Sequence, residues 1–386
     1  MTRTFKPRQL LLWALAGLAA SPAWADLSAV VAIEPTSRKD GLMLSRPALE
    51  AQLGKLTGQT VNVTTTEDLT DAMRATRSGG YDLFIAPAQV AASALAHGYE
   101  LIGSTEPSEQ YVMVGKPQIA STGDMRKGRI YLPQQDSIYT YMARGMLNQS
   151  GLSFKDLRTV EFARYPQAGL TALMLGLSDA TVIRRGDYDA WVKENPGAGK
   201  VLATSGAVPG GFSVAVKKDL PPDVRTKIAK WFATSAPACG MKPVASRAEL
   251  TEYKAVAQLG TFTPKSLPGA TVVSAGEVMQ MMAQGAVVVD TRNDKEYKAK
   301  HIPNALFVPY HEKSLKDVAY DPALDDFSGL DKLDPSKPTI FHCNGPECWK
   351  SYKASRAALA KGFKQVYWFR GGMPEWETNG MQLAKE

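Results

Sequence analysis

Along most of this chain, short apolar runs alternate with stretches whose apolar positions recur every three or four residues. That is the pattern of strands followed by amphipathic helices. Residues 28–34 read as a first strand, 46–56 as a helix and 60–64 as a second strand. A helix over 66–77 follows, with Leu69, Met73 and Arg77 at helical spacing. A third strand, 81–86, is ended by Pro87. Further on, 129–132, 159–162 and 180–183 read as strands, with helices around 139–149 and over 170–176. The alternation predicts an α/β fold with a mostly parallel sheet.

The periodicity fades over 258–270, where prolines and glycines punctuate Leu-Gly-Thr-Phe-Thr-Pro-Lys-Ser-Leu-Pro, so an interdomain linker is expected there. It separates a unit at 26–257 from a second at 271–386. In the second, Ser274-Ala275-Gly276-Glu277 is a capping box that opens a helix over 277–284. Strands are expected at 287–290, 339–342 and 366–369, with helices over 350–361 and near 374–378. This unit is again α/β and large enough to fold alone.

Arg3, Lys6 and Arg8 precede an apolar run over 10–20, and Ala23-Trp24-Ala25 fits a cleavage site, so 1–25 reads as a secretory signal peptide. The expected location is the periplasm, with no membrane attachment after cleavage. Removing those three basic residues lowers the net charge from +7 to +4. Lys and Arg are interleaved with Asp and Glu, which argues against nucleic acid as a partner. The three cysteines, Cys239, Cys343 and Cys348, do not make a disulfide scaffold. A metal site is not expected, because His342 should point to the strand face opposite Cys343, and no cofactor is implied.

Cys343 lies where the run Thr339-Ile340-Phe341-His342 breaks into Asn344-Gly345-Pro346-Glu347-Cys348-Trp349 and a helix. A thiol there should face the free N–H groups of the helix start. The expectation is that these donors and the helix dipole hold Cys343 as a thiolate nucleophile.

Val287-Val288-Val289-Asp290-Thr291-Arg292, Glu296-Tyr297 and His301-Ile302-Pro303-Asn304-Ala305 resemble the first signature of rhodanese domains. The loop cysteine and Val366-Tyr367-Trp368-Phe369-Arg370-Gly371-Gly372-Met373 with Trp376 resemble the second half. The resemblance implies a three-layer α/β domain with a parallel sheet and sulfurtransferase chemistry. Cys343 would carry a persulfide from a thiosulfate-like donor to a thiophilic acceptor, and Cys348 would resolve it or serve as a structural disulfide partner. Asn344, Gly345, Glu347, Trp349, Lys350 and Ser351 would line the substrate loop. The loop departs from the pattern: it reads Cys-x6-Lys, where rhodaneses usually show Cys-x4-Arg and related phosphatases Cys-x5-Arg. The Cys-Trp pair resembles a subgroup of exported rhodanese-like proteins linked to periplasmic alcohol oxidation. Asp290 and Arg292 are expected to be structural, and His301 to cap and pack its turn.

The first unit resembles two-lobed periplasmic solute-binding proteins of the phosphate, phosphite and phosphonate group. The resemblance rests on Glu34-Pro35, Tyr81-Asp82-Leu83-Phe84-Ile85-Ala86-Pro87, Gly98-Tyr99-Glu100-Leu101, Gln135-Asp136-Ser137-Ile138-Tyr139-Thr140, residues 176–183 and Val208-Pro209-Gly210-Gly211-Phe212. It implies a small sulfur-containing or oxyanion ligand held by Ser137, Tyr139, Thr140, Gln167 and Arg184, with simple helix capping as the rival role for the hydroxyls. Cys239 reads as a small buried residue or a redox participant. The partner is expected to be a periplasmic thiol acceptor protein or a transporter. Two rival functions stay open: an oxyanion-binding protein with a non-catalytic rhodanese module, and a thiol redox protein using Cys343 and Cys348.

Overall fold

The computed structural model describes residues 26–35, 45–234 and 250–386; the leader and Cys239 lie outside them. Three five-stranded sheets organise the described chain. In the first lobe β1 (Leu27–Ala32), β2 (Val61–Thr66) and β3 (Leu83–Ala86) run parallel, linked through α1 (Arg46–Thr57) and α2 (Leu69–Ser78). After α3 (Ala88–Ala96), the long β4 (Tyr99–Glu109) leads into the second lobe. That lobe contains β5 (Tyr111–Gly115), β6 (Arg129–Leu132), α4 (Ile138–Gln149), β7 (Thr159–Phe162), α5 (Gln167–Met174), β8 (Ala180–Arg184), α6 (Arg185–Glu194) and β9 (Lys200–Thr204). Strand β10 (Val208–Lys217) returns to the first lobe, which α7 (Pro222–Thr234) and α8 (Leu250–Gln258) complete. The chain therefore crosses between the lobes twice. The crossings are stitched by Tyr111 N to Ser205 Oγ and Ser205 N to Tyr111 O, both at 2.9 Å.

The sheet orders are β2-β1-β3-β10-β4 and β7-β6-β8-β5-β9. Strand β10 is antiparallel to β3 and β4, and β5 is antiparallel to β8 and β9. The sheets are thus mixed, where the strand–helix alternation suggested mostly parallel ones. In the first lobe, the strands that change the balance carry Gly103 and Pro107 in β4 and Pro209-Gly210-Gly211 in β10. Those residues read as breakers. They are accommodated because the β10–β4 register shifts at Val208/Gly210 and Gly210/Ser213, as bulges allow.

Helix α2 is capped by Asp68, whose side chain accepts from Asp71 N at 3.1 Å. It buries Leu69, Ala72, Met73 and Thr76 in its own lobe. Arg74 and Arg77 fall three apart on a different stripe and reach the third sheet's domain instead.

That domain comprises β11 (Thr271–Val272), α9 (Ala275–Ala283), β12 (Val287–Asp290), α10 (Asp294–Ala299), β13 (Leu306–Phe307), β14 (Thr339–His342), α11 (Trp349–Ala360), β15 (Val366–Phe369) and α12 (Gly372–Thr378). The Ser274–Glu277 capping box forms as the sequence predicts. Its strand order is β11-β15-β14-β12-β13, and every pairing is parallel. Alternate residues of each strand serve the two faces. Val288 and Ile340 pack with Met373 and Trp376, whereas Val289 and Phe341 pack with Ala354 and Ala358. Strand β14 is central, so its carboxyl end opens between two parallel neighbours, where α/β sheets bind ligands.

Candidate functional site

The platform under that strand end is locked by a buried ion pair. Arg292 Nη2 and Nε donate to Asp290 at 2.6 and 3.0 Å, and both residues are almost fully buried. Burial opposes ionisation of Asp290, but the charges of His342 and Arg292 and the latter's hydrogen bonds hold it below its ordinary value. His342 is fully buried beside it, and burial pushes its imidazole down to about 4, so it is neutral near pH 7. Asp290 and Arg292 have the structural role that the sequence predicts. His301 stacks on Tyr297 with ring centres 4.0 Å apart and bonds the Tyr297 carbonyl, which also matches expectation.

Cys343 follows β14 directly and is 1% exposed. Its thiol donates to the Cys348 carbonyl at 3.2 Å and lies 3.1 Å from Ser351 Oγ. Trp368 Nε1 donates to Ser351 Oγ at 3.0 Å, which leaves the serine proton free for the sulfur. Cys348 occupies the N-cap position of α11, and its side chain makes no capping bond. Both cysteines are free thiols.

The two neighbouring thiols bias each other's ionisation. Burial, then the Cys348 thiol and its charge, push Cys343 well above an ordinary thiol. Burial also opposes ionisation of Cys348. There, however, the Cys343 hydrogen bond, the charge of Arg77 and the Asn344 backbone N–H act the other way and lower it.

The remaining loop residues divide. Gly345 takes φ +83°, the left-handed region, and Cys348 N closes a turn on its carbonyl at 3.0 Å. The Asn344 amide donates to Glu296 Oε1 at 2.5 Å. Glu347 meets Arg77 across the domain boundary at 3.4 Å. Trp349 Nε1 donates to the Thr261 carbonyl at 3.1 Å. Lys350 turns away from the sulfurs: its Nζ bonds the Tyr310 carbonyl at 2.6 Å and lies over that ring. It therefore does not replace the arginine missing from the loop.

Both lobes of the first unit touch this domain near the loop. From the second lobe, Asp136 pairs with Lys316 at 2.5 Å, and Gln135 Oε1 accepts from Lys316 N at 3.1 Å. From the first lobe, Arg74 approaches Glu296 at 3.9 Å and Arg77 reaches Glu347. The linker joins in, as Thr263 N and Oγ1 each donate to the Pro346 carbonyl at 2.8 Å.

In the first unit, Ser137 caps α4 and Tyr139 stacks edge-on against Tyr111 with centres 5.1 Å apart. Arg184 lies 3.3 Å from Glu109. These three expected residues surround groups that the sequence reading missed. Glu34 Oε2 accepts from Ile138 N at 3.2 Å and Gln89 Nε2 at 3.1 Å. A carboxylate of the chain itself thus sits on the helix start expected to hold an oxyanion. Burial raises the Glu34 carboxyl despite bonds from Ser137, Ile138 and Gln89 and the charge of Arg184. Thr140 and Gln167 do not join this group. Thr140 donates to the Gln134 carbonyl at 2.8 Å, and Gln167 lines a separate hollow with Leu170, Asp187 and Trp191. Glu34 and Gln89 follow the carboxyl ends of β1 and β3, and that placement is the signal that would have found them.

Residues 31–258, more than half of the chain, match the profile of the ABC transporter, phosphonate, periplasmic substrate-binding protein family. The chain belongs to that family. Residues 274–379 match the rhodanese-like domain, so this phosphonate-binding family member carries a rhodanese domain at its C-terminal end. That domain is 32% identical over 96 residues to a thiosulfate:glutathione sulfurtransferase of Saccharomyces cerevisiae, covering 24% of this chain and 66% of the yeast protein. It is 29% identical over 106 residues to the thiosulfate sulfurtransferase GlpE of Pseudomonas entomophila, covering 28% and 84%. Among solved structures, PhnD1 of Prochlorococcus marinus in complex with methylphosphonate is 15% identical, with TM-score 0.46, over 61% of this chain and 96% of its own. Xanthomonas citri XAC2383 bound to chloride is 14% identical, with TM-score 0.48, over 60% and 97%. Among the described residues no helix is long and apolar enough to cross a membrane, and no cluster of three metal-ligating side chains occurs.

Proposed function

We propose that the chain is an exported sulfurtransferase in which Cys343 and Cys348 together carry sulfane sulfur, joined to a domain that binds a small molecule. One observation carries this reading: on a rhodanese scaffold, two free thiols lie together at the start of α11, with the Cys343 thiol bonded to the Cys348 carbonyl at 3.2 Å. The relatives named for thiosulfate support a thiosulfate-like donor, and the periplasmic family together with the N-terminal sequence supports export.

The Cys348 thiolate attacks the outer sulfur of the donor. The donor's sulfur–sulfur bond breaks, sulfite leaves with the electron pair, and a persulfide remains on Cys348. The Cys343 sulfur then attacks the terminal sulfur, the sulfur–sulfur bond to Cys348 breaks with its electron pair going to Cys348, and the Cys343 proton passes to Cys348, with no net oxidation. An acceptor thiolate or cyanide finally attacks the terminal sulfur, and the bonding pair returns to the cysteine as thiolate. Thiocyanate formation from thiosulfate and cyanide, with Cys343→Ser and Cys348→Ser, tests the scheme. Each substitution should abolish turnover, and mass spectrometry of the wild type should find one added sulfur atom on the 343–348 loop. Full activity in the double variant would end the sulfurtransferase reading.

The closeness of the two thiols favours a second reading, thiol–disulfide exchange. It would be marked by a 343–348 disulfide that forms and is reduced while no sulfur is transferred.

A further inference from the structure

The sulfur loop has no arginine of its own, and Lys350 points elsewhere. A guanidinium nevertheless reaches the loop from the other domain. The side chain of Arg77, on α2, is 7% exposed, and its Nη1 stands 3.4 Å from Glu347 Oε2. Charge-assisted bonds of this kind usually run to about 2.7–2.9 Å, so the pairing is loose. Its Nε has no hydrogen-bond partner. A buried guanidinium with one long contact and an idle donor is under-compensated, and it calls for a second anion.

The ionisable groups that act most strongly on Arg77 include Glu347, Cys348, Asp136 and Tyr141. Asp136 is already taken by Lys316 at 2.5 Å, and burial keeps Tyr141 neutral. What remains is the sulfur next to Glu347 in sequence, at the N-terminal end of α11. The groups that act on that sulfur in turn include Cys343, Arg77, the Asn344 backbone and Glu312, and Glu312 is bound by Lys353 at 2.8 Å.

We propose that the solute-binding domain completes the rhodanese site: Arg77 positions and neutralises the anionic sulfur of Cys348, and of a persulfide formed on it, in place of the arginine that the loop lacks. Arg77 is therefore a positioning residue, and the sulfur site belongs to both domains. The functional meaning rests on the sulfurtransferase reading, but the arrangement itself can be tested without any sulfur transfer.

The test uses the full chain and its Arg77→Gln, Arg77→Lys and Glu347→Gln variants. Iodoacetamide labelling of Cys348 is followed across pH by fragment mass spectrometry that separates 348 from 343. Each profile is normalised to its high-pH plateau, so a looser interface that merely speeds labelling drops out. Arg77→Gln should move the midpoint to higher pH, and each pH unit of movement lowers the normalised rate at pH 5 about tenfold. Arg77→Lys, which keeps the charge, should stay closer to the wild type. Glu347→Gln removes the competing carboxylate and should leave the midpoint in place or lower it. Three outcomes each overturn the proposal: an Arg77→Gln profile that superposes on the wild type, an Arg77→Lys profile displaced as far as Arg77→Gln, or a Glu347→Gln profile raised as much as Arg77→Gln. A protein that moves no sulfur still reports on Arg77 in this way.

Discussion

Replacing Gly372 by alanine tests how tightly the sulfur loop is held from below. Gly372 opens α12 with φ +56°, and an added Cβ would lie 2.1 Å from the Cys343 carbonyl oxygen and 2.8 Å from Gly345 N. The left-handed backbone costs about 1–2 kcal/mol for a residue with a side chain. Relieving the overlap adds about 1–3 kcal/mol, because the obstacle is backbone and cannot rotate away. The Met373 N to Cys343 O bond, 2.9 Å, sits at the point of collision, and loosening it adds about 1 kcal/mol. The sum is roughly 3–6 kcal/mol. Gly380 provides the control: its φ is +65° and nothing lies within 4 Å of the place a Cβ would take, so alanine there meets only the backbone penalty. Native-state hydrogen exchange on peptides spanning 339–343 reads the local free energy in the intact chain. Gly372→Ala should be less stable there than Gly380→Ala by roughly 2–4 kcal/mol. Two variants within about 0.5 kcal/mol of each other would show that the contact is not tight.

His342 should make the C-terminal domain acid-sensitive. Its folded value, about 4, lies below the ordinary histidine value, so its contribution is complete above the unfolded value and lost as pH falls toward the folded one. Between pH 7 and 5 the loss amounts to about 2 kcal/mol. Hydrogen exchange at the two pH values should show the drop in the wild type and a much smaller one in His342→Leu; equal drops would mean that other groups govern it. Glu34→Ala should vacate the start of α4, freeing Ile138 N and the Gln89 amide beside the charge of Arg184. Inorganic phosphate should then raise the thermal midpoint of the variant more than that of the wild type, and equal responses would refute the idea that Glu34 occupies an anion site.

The strands at 287–290, 339–342 and 366–369 were legible because each is a short apolar run buried on both faces, bounded by polar turns. The capping box at Ser274 was legible for a local reason as well, since its whole chemistry lies within four residues. Helix α3 was missed: its alanine-rich run is buried throughout the first seven residues and shows no amphipathic stripe. The loop's unusual length could be read from the sequence, but the contact of the Cys343 thiol with the Cys348 carbonyl could not, because it depends on how the loop folds in space. Glu34, Gln89, Glu109 and Arg77 escaped for a related reason. Each acts across a gap in sequence that only tertiary packing closes: Arg77 meets Glu347 at a separation of 270 residues.

The contacts from Arg77 and Asp136 have a mechanical consequence. They anchor one rigid body to both halves of a hinged pair, like a strut across the jaws of a clamp. Bending at the two crossings between the jaws must stretch or release at least one anchor. If Arg77 is the cation that serves the sulfur loop, release on its side would withdraw that charge, and any bending of the lobes would reach the thiols through this one contact.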